Sequence, residues 1–225
     1  MRASGVLILA AQLATLGTPC LAASVPEAVA VLHVQEPGPG RVPEAAPLRF
    51  VLTKQRRVFV GGSDRILTAQ LDKQDLQSIE KQIDRVRKLQ GVAREVRLGP
   101  GDERYELTLF EGDGLQVTAI GDPSFASGAL QTLGELLVVL RSFQHQQLRR
   151  LAPTEVVLTT RQGSLVGGCR EWTLPVGLRE SLAGPKTLPA AAVAGWPTGA
   201  FPASVCDGKQ RYVVALRPLL PGEQP

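Results

Sequence analysis

The sequence predicts an α+β protein built from two β-rich modules. Short runs of alternating apolar and polar residues indicate strands, and two longer runs with apolar residues at helical spacing indicate helices. In addition, residues 46–62 and 152–168 share Ala-Pro, Val-Leu-Thr and Val-Gly-Gly at the same spacing. We therefore expect a first α+β module over residues 47–150, with antiparallel sheets packed by a medium and a long helix. A second, degenerate β-rich module with an irregular, disulfide-pinned loop is expected over residues 151–225.

Residues 1–23 have the features of a secretory signal peptide. Arg2 supplies the positive start, residues 6–16 form an apolar run, and small residues allow cleavage after Ala22 or Ala23. The apolar run is too short to cross a membrane, and no later stretch approaches the roughly 20 apolar residues that a spanning helix needs. The sequence therefore predicts a periplasmic or secreted protein without a membrane span.

Charge and cysteine content narrow the function classes further. The formal charge is only +4, and Arg2 would leave with the signal peptide, so nucleic-acid binding is not predicted. In an oxidising compartment Cys169 and Cys206 predict a disulfide. The chain-entropy model gives about 3–4 kcal/mol for closing a loop of this length. The two histidines are not spaced with these cysteines as zinc ligands, so neither a metal nor another cofactor is predicted.

The segment that follows the signal peptide is predicted to be a linker. Residues 24–46 contain four prolines and two glycines, a composition that suits an extended chain. Residues 29–34 could add one edge strand to the sheet. His33 lies in this segment and is interpreted as a solvated residue.

Strands and helices then follow in order through the first module. Alternation predicts strands at residues 48–53, 58–60 and 65–70, and a hairpin of residues 105–110 with 115–120.

Two helices are predicted in the same module. One begins near Asp72 or Asp75 and stops at Gly91, and the other begins at Asp122 and continues to about Arg149. The broad row of leucines on the second helix belongs against a sheet.

The second module is predicted to repeat the opening strands as far as Leu174 and then to depart from the first. Residues 183–208 are rich in Ala, Pro and Gly, and they contain Trp196 and Phe201 among turn residues. Two interpretations are open for these aromatics. They could be presented to a partner by a constrained loop, or they could fold back to cover a thin core. Residues 211–216 are predicted to form the last strand.

The order of elements over residues 48–143 resembles that of the emfourin-type inhibitors of thermolysin-like metalloproteases. It consists of a strand, a Gly-Gly turn, a strand, a leucine-rich helix, Asp102 through Tyr105 and a hairpin, then Asp122 and a final leucine-rich helix. The resemblance implies a protease-inhibitor-like function. At residues 60–64 this chain has Val-Gly-Gly-Ser-Asp, where that family tends to have a Gly-Gly-Phe-Ala-Gly-like inhibitory loop.

These observations predict an exported, non-catalytic interaction protein of the cell envelope with a protein partner. The candidate partner contacts are Gly61, Gly62, Trp196 and Phe201. One alternative is an extracytoplasmic enzyme of unrecognised type, for which His145, Asp122 or a reduced Cys169 would be the candidate residues. Another is a protein that binds a small ligand between the two modules. His145 is expected at the surface near the end of the second helix, and no residue is assigned a catalytic, cofactor-binding or metal-binding role.

Overall fold

A computed structural model describes most of the chain. The described residues are 27–35, 48–61, 65–89, 91–110, 114–163, 165, 167–198, 202–221 and 223. The predicted signal peptide, Gly62 and Phe201 lie outside them. The fold class is confirmed, since the described chain combines helices with two largely antiparallel sheets of eight and four strands. Within these ranges, no helix is long and apolar enough to cross a membrane.

The first sheet is formed by the N-terminal part of the chain. Its strands are β1 (Ala28–Gln35), β2 (Leu48–Thr53), β3 (Arg57–Gly61), β4 (Ile66–Gln70), β5 (Glu95–Arg97), β6 (Arg104–Leu109), β7 (Leu115–Ile120) and β8 (Arg149–Leu151). Their order across the sheet is β5-β7-β6-β1-β2-β3-β4-β8. All neighbours are antiparallel except β5 and β7, which are parallel. The predicted strands near residues 48–70 and the predicted hairpin are therefore confirmed.

β1 lies at the centre of this sheet, between β2 and β6. The possible strand at residues 29–34 is therefore confirmed as a strand, but it is central and not at an edge, and the predicted linker over residues 24–46 is wrong for residues 28–35. Its central position does not follow from the sequence because apolar side chains leave both of its faces, so its sequence does not alternate. Leu32 packs toward the helices and Val31 packs on the opposite face. His33, predicted to be solvated, lies in this strand with Nδ1 3.6 Å from the Glu106 carboxylate.

Two helices cover one face of the first sheet, the front face. The first, α1 (Lys73–Arg87), is capped by Asp72, whose Oδ1 accepts from the N–H groups of Gln74 and Asp75 at 2.8 Å. The second is α2 (Gln131–Arg141). Their apolar stripes and the front-face strand residues form the largest core of the described chain. Its fully buried members include Phe50, Leu52, Ile83, Tyr105, Leu107, Leu133 and Leu137.

α2 is much shorter than the helix predicted between Asp122 and Arg149. Single 3-10 turns occupy Pro123–Phe125 and Gly128–Leu130, and the α-helix begins only after them. Gly128 has φ +58°, a left-handed conformation that interrupts a right-handed helix. After α2 the chain turns back and forms β8, so the predicted C-terminal third of the helix is wrong as well.

The second sheet contains β9 (Glu155–Gln162), β10 (Lys186–Pro189), β11 (Ala203–Asp207) and β12 (Gln210–Pro218). Their order is β10-β9-β12-β11, with antiparallel neighbours throughout. The short helix α3 (Leu178–Ser181) and a 3-10 turn at Ala190–Val193 lie in the connection before and after β10. Val156, Leu158, Val205, Val214 and Leu216 are among the core residues of this part.

The two copies of the repeated stretch do not form the same structure. In the first copy β2 and β3 make a hairpin. In the second, β9 pairs with β10 and β12. Among the described residues that follow β9, Gly167 and Gly168 are not in a strand. The predicted second hairpin is therefore wrong, and the sequence echo does not correspond to a repeated arrangement of strands.

Candidate partner-binding site

The structure places Gly61 inside the protein rather than on a binding loop. It ends β3 and is buried, and its carbonyl oxygen accepts a hydrogen bond from Arg49 Nη1 at 2.8 Å. Arg49 is the extra residue at an irregularity between β1 and β2, where Leu32 pairs with Phe50 but His33 pairs with Leu48. The backbone of Gly61 is thus occupied by a contact within the sheet. Gly62, which was predicted to contact a partner together with Gly61, is outside the described residues.

Trp196 packs against the second core. Its ring makes an edge contact with Trp172 at a centroid distance of 6.1 Å, and the Arg170 guanidinium lies 5.1 Å from its centroid. Its Nε1 donates to Thr173 Oγ1 at 3.0 Å. These contacts agree with the interpretation in which Trp196 folds back over a thin core. The other aromatic of that pair, Phe201, lies outside the described residues.

The predicted disulfide between Cys169 and Cys206 is confirmed, with a Cα–Cα distance of 5.5 Å. It joins the segment after β9 to β11, next to a parallel bridge between Arg170 and Val205. A disulfide-bonded Cys169 is not a thiol nucleophile. The bond therefore fastens the irregular part of the second module to its sheet.

His145 fastens two elements together. Its Nε2 lies 2.9 Å from Asp75 Oδ2 in the first turn of α1, and its Nδ1 accepts from the N–H of Gln147 at 3.2 Å. Because Nδ1 accepts, the neutral ring carries its proton on Nε2 and donates it to Asp75. Both nitrogens are engaged, although the ring borders a shallow surface pocket of about 560 Å³. The predicted position near the end of α2 is also wrong, since His145 lies beyond that helix.

Asp122 shapes a turn. Its Oδ1 accepts from the backbone N–H of Ser124 at 2.9 Å and from the Ser124 hydroxyl at 2.8 Å. These hydrogen bonds hold the pKa of the Asp122 carboxyl below its usual value. The carboxylate is a local cap at neutral pH, and its role is to fix the direction of the residues that follow.

Residues 121–126, which we call the clamped turn, are held on one side by the loop after β5. Gly121 has φ +98°, and a Cβ on it would lie 2.2 Å from the carbonyl oxygen of Gly99. A Cβ on Gly99 would in turn lie 2.6 Å from the Cβ of Phe125. Gly121 thus lies against the backbone of Gly99, and Gly99 lies against the first side-chain atom of Phe125, so neither position has room for a larger residue.

The opposite side of the clamped turn is held by α2. A Cβ on Gly134 would lie 2.4 Å from the Cβ of Ala126 and 2.5 Å from the carbonyl oxygen of Pro123. Gly134 therefore allows the helix to contact the turn directly. The clamped turn is enclosed by glycine contacts on both sides, which makes it a rigid part of the surface.

The clamped turn presents an exposed aromatic side chain. Phe125 is 61% exposed, the largest exposed fraction among the large apolar side chains of the described chain. The same turn lines a groove of about 450 Å³ together with α1 and α2. Arg85 and Glu135 contribute charges to this groove, and Val138, which is 39% exposed, contributes apolar surface. Phe125 itself does not line this groove, but Ser124 and Ala126 on either side of it do. An exposed ring on a turn that borders a mixed apolar and charged groove is typical of a protein-binding surface.

A partly buried ionic network supports this end of the sheet. Arg141 donates through Nη2 to Glu103 at 2.8 Å and through Nη1 to the Tyr105 hydroxyl at 2.5 Å. The Tyr105 hydroxyl donates to Glu103. Burial, and next the Glu103 carboxylate, raise the pKa of Tyr105, which therefore remains a donor. The carbonyl of Glu103 also accepts from Gly121 N–H at 2.9 Å, so the network reaches the clamped turn.

The sequence predicts a long helix from Asp122-Pro123 and therefore does not show the turn. On such a helix Phe125 would lie on the same side as Leu136 and Phe143, so residue spacing gives no sign that its ring is exposed. The described residues contain no group of three or more His, Cys, Asp or Glu side chains that could hold a metal ion.

The fold and the site define an α+β protein with two largely antiparallel sheets, one disulfide and an exposed aromatic turn. Comparison of the chain with family models, with curated proteins and with solved structures finds no match.

Proposed function

We propose that the chain is an exported, non-catalytic binding protein of the cell envelope, and that it contacts a protein partner through Phe125 and the adjoining groove. In its most specific form, this proposal makes the chain a protease-inhibitor-like module. The observation that carries the proposal is the 61% exposure of Phe125 on the clamped turn.

A rigid exposed aromatic favours binding for two reasons. Aromatic side chains supply large contact areas, and they dominate the energetics of many interfaces. A turn that is already fixed by Gly99, Gly121 and Gly134 loses little conformational entropy when a partner binds.

Export is supported by the disulfide and by the composition of residues 1–23. Disulfides persist in oxidising compartments and are rare in the cytosol of most organisms. The Cys169–Cys206 bond is therefore consistent with an extracytoplasmic protein.

The inhibitor-like form is supported by the order of elements. The described chain contains β2, β3, β4, α1, the β6–β7 hairpin and α2 in the order on which the emfourin resemblance rests. The proposed contact differs from the one that the resemblance implies. Since the Gly61 carbonyl is held by Arg49, we assign the contact to Phe125 instead.

Quantitative capture from periplasmic extract tests the binding surface. The mature protein is compared with Phe125→Ala and with Phe110→Ala, a matched control because Phe110 is a second exposed phenylalanine, at 44%, just beyond the end of β6. We expect Phe125→Ala to lose most of the captured partner and Phe110→Ala to retain it. Equal recovery by both variants would exclude the clamped turn as the contact, whereas loss with Trp196→Ala alone would move the contact to the second module.

A further inference from the structure

The last described residues leave the second sheet and pack on the first. β12 remains paired with β9 up to Pro218 and Val156, and the N–H of Leu219 then donates to the Glu155 carbonyl at 3.0 Å. Beyond this point Leu220 enters a core cluster on the face of the first sheet opposite the helices, the back face. The other buried members of this cluster are Ala28, Val31, Leu48, Val51, Phe59 and Ile66. Leu220 thus belongs to one core cluster with residues of β1, β2, β3 and β4.

A buried ion pair fixes the path of this segment. Arg217 Nη1 lies 2.5 Å from Glu223 Oε1, and the two side chains are 9% and 0% exposed. The second carboxylate oxygen, Oε2, accepts from the N–H of Leu220 at 2.9 Å, and the N–H of Glu223 donates to the Leu220 carbonyl at 3.0 Å. These contacts tie Glu223 back to Arg217 and Leu220, while Leu220 packs in the back-face cluster.

The segment depends on its ion pair. A buried carboxylate is strongly unfavourable without a cation and hydrogen-bond donors, and Glu223 has both from within the segment. Because Arg217 belongs to β12, the position of Leu220 is coupled to the end of the second sheet. Residues 152–154 connect β8, the last strand of the first sheet, to β9, the first strand of the second.

We propose that the back face of the first sheet is a binding site for a short peptide segment, and that its occupant is the chain's own C-terminal strap, which we define by the described residues 218–221 and 223. The strap couples the two sheets at a second point beyond the short connection at residues 152–154. Its release exposes the apolar residues around Val51 and Phe59 and lets the second sheet move independently. This inference is independent of the proposed contact at Phe125.

Hydrogen exchange of the full chain tests the strap. Leu220→Ala and Glu223→Gln are compared with Leu182→Ala, an exposed leucine outside the strap. We expect exchange in residues 28–35 and 48–61 to rise by about tenfold in both strap variants, with less than about a twofold change in α1 and in the control, because only the opening of the back face is altered. An unchanged rate in residues 48–61, or an equal rise throughout α1 and the second sheet, would overturn the assignment.

Addition of a free peptide tests the site itself. A synthetic peptide with the sequence of residues 217–225 is added to the Leu220→Ala protein, and a peptide with Asp at the position of Leu220 serves as control. The native-sequence peptide is expected to return exchange in residues 48–61 toward the wild-type rate, and the Asp peptide is not. Absence of protection at millimolar peptide would overturn the identification of the back face as a peptide site.

Discussion

Single side chains show how polar groups at the end of the first sheet are satisfied. Tyr105 is fully buried, yet its hydroxyl donates to Glu103 and accepts from Arg141. Arg49 extends the network, since its Nε donates to the Arg141 carbonyl at 2.7 Å. These contacts join β2, β6 and the end of α2. Charged hydrogen bonds therefore hold together the elements that support the clamped turn.

Removal of the Tyr105 hydroxyl tests this support. Tyr105→Phe removes one hydrogen bond from Glu103 and one from Arg141, which stay paired with each other, so we expect the free energy of unfolding to fall by about 1–3 kcal/mol. Denaturant unfolding measures the change. Tyr212→Phe is the matched control, since its hydroxyl contacts only the amide oxygen of Gln210 among the described partners, and it is expected to cost about 1 kcal/mol or less. Equal losses would show that the charged network adds nothing.

The ionisation of Glu106 should make the stability of the protein depend on pH. Its contact with His33 and then its contact with Arg104, whose Nε is 3.1 Å away, lower the pKa of the Glu106 carboxyl although burial opposes them. Since the unfolded chain binds this proton more readily, the stabilisation is complete above the ordinary glutamate pKa. It is lost as the pH falls through the lowered pKa.

The substitution Glu106→Gln should therefore reduce stability by about 1 kcal/mol at neutral pH and flatten the loss of stability on acidification. Unfolding midpoints measured between pH 3 and pH 7 check both effects. Glu95→Gln, on an exposed side chain 3.9 Å from Arg104, should leave the pH profile unchanged. A wild-type slope retained in Glu106→Gln would assign the acid sensitivity to another group.

At the scale of single elements, the clamped turn restricts which residues can occupy its positions, above all at Gly121. Gly121→Ala places a methyl group against the Gly99 carbonyl in a left-handed conformation, and we expect a loss of about 3 kcal/mol or more in the free energy of unfolding. Gly128→Ala is the control, because Gly128 has φ +58° and no atom within 4 Å of the added Cβ. It should cost only about 1 kcal/mol. Similar losses at both positions would mean that the backbone contact is not tight.

The disulfide belongs to the element that joins β9 to β11. Replacement of both cysteines by serine is expected to lower the free energy of unfolding by about 2–4 kcal/mol. Because Arg170 follows Cys169 and lies over Trp196, the indole fluorescence of the second module should change as well. Unchanged unfolding in the double variant compared with the oxidised protein would contradict a stabilising role.

The sequence was sufficient for elements with sustained local periodicity. α1 has a regular apolar stripe and a capping Asp72, and the β6–β7 hairpin alternates on both strands. The strand at residues 29–34 could be predicted, but not the central position of β1, because it is apolar on both faces and lies in a segment otherwise rich in proline and glycine. The row of leucines concealed the interruption of α2 at Gly128. The site itself depends on contacts of Gly99, Gly121 and Gly134 across the fold, which residue spacing cannot show.

At the scale of the whole molecule, the candidate binding features lie on different sheets and not on the repeated stretch. The second sheet carries the disulfide and the packed Trp196, whereas the first carries the clamped turn with Phe125. The large apolar side chain with the greatest exposed fraction in the described chain is therefore in the first module. This arrangement supports the proposed contact at Phe125.

The most direct test is the inhibition of secreted thermolysin-like metalloproteases by the mature protein and two variants. We predict inhibition at or below about micromolar concentration by the wild type and by Phe110→Ala. For Phe125→Ala we predict an inhibition constant at least about tenfold weaker, because loss of a central aromatic contact typically costs 2 kcal/mol or more. Circular dichroism and unfolding midpoints verify that both variants fold. Absence of inhibition by the wild type would contradict the inhibitor-like function, and equal inhibition by Phe125→Ala would contradict the assigned surface.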